Sequence, residues 1–68
     1  MFVSKFVYTD IDSVVSAERK LLAAVEEIES STQECIFINV LRAPQKMLIV
    51  QSETEATGRK VRRILNAF

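Results

Sequence analysis

Met47-Leu48-Ile49-Val50 is apolar in both phases, and a strand of that kind wants cover on both faces. It is expected at the centre of a sheet, spanning Met47 to Gln51. Cys35 to Leu41, rich in Ile, Val and Phe, reads as a second strand. The stretch Arg42-Ala43-Pro44-Gln45-Lys46 between them is a short connection. Proline fixes φ and lacks an amide donor, so Pro44 belongs in a turn and the two strands form a hairpin. Phe2 to Tyr8 alternates, with Phe2, Phe6 and Tyr8 in one phase and Val3, Lys5 and Val7 in the other. Period two with aromatic and β-branched residues makes this a strand as well.

Helical spacing takes over between the strands. The cluster Thr9-Asp10-Ile11-Asp12-Ser13 offers several N-caps. From Ile11, the residues Val14, Val15, Leu21, Leu22, Val25 and Ile28 keep to one side, and Arg19, Lys20, Glu26 and Glu27 fall mostly on the other. This is an amphipathic helix of about five turns, ended by Ser30-Ser31-Thr32-Gln33. After the hairpin, Ser52-Glu53-Thr54-Glu55 matches a capping box. Thr57, Val61, Ile64, Leu65 and Phe68 then form a stripe at helical spacing. Gly58 interrupts this second helix at a cost of about 1 kcal/mol relative to alanine, which suits a helix seated close against a sheet or a partner.

The order is β-α-β-β-α: an α+β fold with a three-stranded mixed sheet and both helices on one face. Sixty-eight residues make a single domain, 1–68. Such a chain buries about 60% of its extended surface, enough for one thin core and too little for a deep pocket as well. One Gly and one Pro leave little room for long loops. The single cysteine excludes an intramolecular disulfide, which suits a reducing compartment. Cys35 sits in an apolar run with Glu34 beside it and reads as a buried, inert thiol. The first eight residues lack the long apolar stretch of a signal peptide. No run approaches the roughly 18 apolar residues of a membrane span. A cytoplasmic location is expected, with no membrane partner.

The sequence offers little chemistry. Histidine, the commonest general base and metal ligand, is absent. One cysteine cannot build a thiolate metal site, and no glycine-rich loop cradles phosphate. Asp10 and Asp12 read as helix caps, and Glu26 and Glu27 as a solvated helix face. The expectation is a non-enzymatic protein without catalytic residues, metal or cofactor.

Two surfaces remain. If Phe2, Phe6, Tyr8, Ile36, Ile38, Val40, Leu48 and Val50 face the helices, the opposite sheet face carries Val3, Lys5, Val7, Phe37, Asn39, Leu41, Met47, Ile49 and Gln51. Lys5, Asn39 and Gln51, one per strand, mark that phase as outward. Its other six residues, Val3, Val7, Phe37, Leu41, Met47 and Ile49, are apolar, and a monomer rarely leaves such a patch uncovered. They are the candidate protein-binding residues. The second surface is Gly58-Arg59-Lys60-Val61-Arg62-Arg63. Arg59, Lys60, Arg62 and Arg63 either complete an amphipathic helix as a solvated face or contact phosphate or an acidic partner. Net charge is zero, yet residues 1–34 hold seven acids against three bases and residues 35–68 six bases against two acids. The split either joins complementary surfaces or gives the molecule a basic side.

Met1-Phe2-Val3, the hairpin Ile36-Phe37-Ile38-Asn39-Val40 with Met47-Leu48-Ile49-Val50, and the final Lys60-Val61-Arg62-Arg63-Ile64-Leu65 together resemble the DinI family of small SOS-response modulators. The resemblance spans most of the chain and rests on apolar patterning. It implies a three-stranded sheet backed by two helices and binding to the RecA filament. Members that act on RecA carry an acidic C-terminal helix, and this one is basic. The functional expectation is a small regulatory or inhibitory protein acting by protein–protein contact, on another protein or on a second copy of itself as a homodimer. The alternative is a nucleic-acid-binding module led by the basic helix.

Overall fold

The computed structural model of the protein describes residues 1–66. Five elements follow in the order strand, helix, strand, strand, helix: β1 (Phe2–Tyr8), α1 (Ile11–Thr32), β2 (Phe37–Leu41), β3 (Lys46–Ser52) and α2 (Glu55–Asn66). The fold is α+β, with one three-stranded sheet in the order β1-β3-β2. β3 takes the central place, as its two apolar phases require.

That placement corrects one expectation. The sheet is not mixed; β1 and β2 each pair antiparallel with β3. α1 returns the chain so that β2 runs in the same direction as β1. β3 then inserts between them, so no parallel pair is hydrogen-bonded. The strand that is apolar on both faces wins the position with two neighbours.

α1 begins at Asp10, which has extended backbone and whose carboxylate accepts the Ser13 amide, and it ends at Gln33 in the left-handed region (φ 61°). The Gln33 amide donates to the Glu29 carbonyl, closing the last turn. The helix is longer than the five turns expected. Val14, Ala17, Leu21 and Ile28 are buried at spacings of three, four and seven residues, a seam facing the sheet. Leu22 lies off that seam and is exposed, contrary to its expected place on the apolar side.

In α2, Thr57, Val61 and Leu65 are buried and Ile64 half-buried, as the stripe predicts; Phe68 lies outside the described residues. Phe6, Leu21, Ile28, Ile36, Leu48, Val50, Val61 and Leu65 meet in one core between the sheet and the two helices. Gly58 packs against β1: a Cβ there would run into the ring of Phe2. The glycine permits the close seat that its sequence position suggested.

Candidate protein-binding face

Side chains alternate along a strand, so one face of the sheet collects the odd-numbered residues of all three strands. Burial follows that alternation. Phe6, Leu48 and Val50 are buried toward the helices, whereas Val3, Lys5, Val7, Phe37, Asn39 and Leu41 are exposed and Met47, Ile49 and Gln51 half-buried on the far side. Register arranges the nine outward residues in three rows: Val3, Gln51 and Phe37; Lys5, Ile49 and Asn39; Val7, Met47 and Leu41. Ile49 lies at the centre. One row is wholly apolar, and Lys5 is the one formal charge among the nine.

Val7 is 62% exposed, Phe37 58%, Val3 43% and Leu41 41%. These four belong to one patch, whereas a monomer's exposed apolar residues are usually scattered singly. All six expected protein-binding residues are thus brought to one surface, and both helices lie on the other side of the sheet.

Arg59, Lys60, Arg62 and Arg63 are exposed on α2, on the helix layer and away from the sheet's outer face. Arg59, Arg62, Arg63 and Asn66 share one shallow concavity. Two of its cations have work within the chain. Arg59 pairs with Glu55 one turn earlier, and the Arg62 guanidinium lies 5.1 Å from the centroid of the Phe6 ring. Lys60 and Arg63 line a groove between the helices together with Glu27 of α1. Glu27 of the acidic first half thus shares that groove with two cations of the basic second half.

The connections hold what the sequence did not disclose. Glu34 reaches across to α2 and accepts the amides of Glu53 and Thr54 (both 3.1 Å) and the hydroxyls of Thr54 (2.8 Å) and Thr57 (2.7 Å). The Thr57 hydroxyl contributes most to holding the Glu34 carboxyl below the usual glutamate range. The Thr54 hydroxyl and the two amides add to this, against an opposing desolvation. The expected capping box does not form as drawn. Ser52 is buried, its hydroxyl donating to the Thr54 carbonyl, and Thr54 with Glu34 takes over the start of the helix.

Glu29 accepts the Ile36 amide and Glu53 the Cys35 amide. Cys35 is accordingly exposed in a connection and not buried in a strand. The alternation itself carried that signal, since residue 35 shares the outward phase of Phe37. Among the described residues, no three His, Cys, Asp or Glu side chains group as metal ligands, and no helix is long and apolar enough to cross a membrane. Comparison with protein-family models, with curated proteins and with solved structures returned no match, so the reading of this chain rests on its own residues.

Proposed function

We propose that this is a small non-catalytic regulatory or inhibitory protein that works by protein–protein contact through the outer face of its sheet. The observation that carries the reading is the clustering of Val3, Val7, Phe37 and Leu41, each more than two-fifths exposed, on a face with neither helix over it. Water bounds such a surface at a cost proportional to its apolar area, and a partner removes that cost. A modulator of a nucleoprotein complex, of the kind the sequence resembles, would need only this: a rigid layer presenting an apolar patch, with no bond-making chemistry.

A second reading, contact with nucleic acid, is favoured by the four exposed cations of α2. Two observations rank it second. Arg59 and Arg62 are engaged within the chain, and zero net charge provides no long-range attraction to phosphate.

Affinity capture from the native host with three baits separates the readings. The wild type and an Arg59→Gln, Arg62→Gln, Arg63→Gln variant should retain the same stoichiometric partner, and Phe37→Asp should lose it. A partner that survives Phe37→Asp and disappears with the arginines would overturn the sheet-face reading in favour of the helix.

A further inference from the structure

We infer that in the free protein the outer sheet face is covered by a second copy of the chain, packed face to face about a twofold axis parallel to β3. The inference rests on the sheet-face reading and names the first occupant of that face. Area makes a second copy sufficient. Six partly exposed apolar side chains at about 60 Å² each give roughly 350–400 Å² per copy, the size of a monomer's largest patch, which is often functional. With Lys5, Asn39 and Gln51 included, two copies bury roughly 1,100–1,200 Å², near the lower limit for a specific pair. An interface this small suits a reversible dimer, one copy of which another protein can displace.

The placement of polar residues selects the axis. For facing sheets whose strands stay aligned, the twofold axis between them runs either along the strands or across them. Across the strands, it would set β1 over β1 and invert the rows, so Lys5 would face Lys5 and Asn39 would face Asn39 in the middle row. Along β3, it sets β1 over the partner's β2 and keeps the rows in step. Lys5 then faces Asn39 on the partner, Val3 faces Phe37 and Val7 faces Leu41, following the register within the sheet. The two lysines are displaced sideways by two strand spacings, about 10 Å. The ammonium finds an amide oxygen in place of another ammonium. Ile49, at the centre of the face, meets its own copy on the axis, and Phe37 lies off it.

Sedimentation equilibrium of wild type and single variants tests the occupant and the axis together. The wild type should dimerise, and Ile49→Lys should be a folded monomer by circular dichroism. Asn39→Asp discriminates between the axes. Along β3 it places a carboxylate opposite Lys5 at two symmetric sites, which should tighten the dimer by about tenfold at low salt. Across the strands it would place two carboxylates together and loosen the dimer. A charge-swapped Lys5→Glu, Asn39→Lys variant should dimerise as tightly as Asn39→Asp. A wild type that stays monomeric at several hundred micromolar, or an Asn39→Asp variant that loosens the dimer, overturns the inference. Neither result touches the sheet-face reading, which falls only if partner capture is indifferent to Phe37→Asp.

Discussion

Glu34 shows how much one side chain in a connection can organise. Four donors converge on its carboxylate from the start of α2, so it closes the α1–β2 connection onto the β3–α2 connection and supplies the negative charge that a helix N-terminus favours. The depressed pKa fixes the sign of a pH effect. A carboxylate with a folded pKa below its unfolded value stabilises fully above the unfolded pKa. It loses that contribution as pH falls through the folded pKa. Asp10 is depressed as well, chiefly by the Ser13 amide, and acts in the same direction. Glu34→Gln should therefore lower the thermal midpoint at pH 7, and its difference from wild type should shrink as the solution is acidified below the ordinary glutamate range. Thermal melts from pH 7 to pH 3 measure this, and a pH-independent difference would mean that the charge is irrelevant to the cap. Gly58 carries a second residue-scale expectation. In an open helix Gly→Ala gains about 1 kcal/mol, but here the new methyl runs into the Phe2 ring. Gly58→Ala should destabilise by about 1–3 kcal/mol, and adding Phe2→Val should recover much of the loss. Chemical denaturation of the double-mutant cycle reads the coupling directly.

At the scale of elements, the sequence made the order, the central strand and the two faces of the sheet legible, because each is written in local periodicity. β3 needed two neighbours since both its phases are apolar, and the odd-numbered residues of β1 and β2 betrayed the outward face by carrying Lys5 and Asn39. What could not be read depends on segments far apart in sequence. The all-antiparallel pairing was not of this kind, since it follows once β3 lies at the centre with β1 and β2 running the same way on either side. Glu34 caps a helix about twenty residues away, and nothing beside Glu34 announces that. Cys35 and Ile36 look like strand residues, yet Glu53 and Glu29 accept their amides in place of a ladder. Leu22 has the composition of a core residue but lies one step off the seam. The docking of α2 onto the sheet was legible from its stripe, and it gives a quantitative expectation. Leu65 is 8% exposed and belongs to the core cluster. Leu65→Ala should cost about 2–5 kcal/mol, a large share of what holds so small a domain together. Urea denaturation showing a loss below about 1 kcal/mol would mean that this end of α2 contributes little to the core.

As a whole the molecule is two-sided: charge gathers on the helix layer and apolar surface on the sheet. Glu27 lines the same groove as Lys60 and Arg63. Salt screens such exposed charges beyond about 8–10 Å. The neutral total therefore produces little field at a distance, and recognition falls to the apolar face at short range. Salt dependence follows from this division. Association through Val3, Val7, Phe37, Leu41, Met47 and Ile49 removes apolar area from water and releases no counterions. Its Kd should change by less than about threefold between 50 and 500 mM sodium chloride, and ammonium sulfate should strengthen it. Binding led by α2 would behave otherwise. Four cations on phosphate give a slope near −0.9 per contact, a loss of roughly three to four powers of ten over that tenfold range of salt. Sedimentation or fluorescence titration at four salt concentrations distinguishes the two, with the dimer as one reporter and any captured partner as the other. A flat response assigns recognition to the sheet, whereas a steep one moves it to Arg59, Lys60, Arg62 and Arg63.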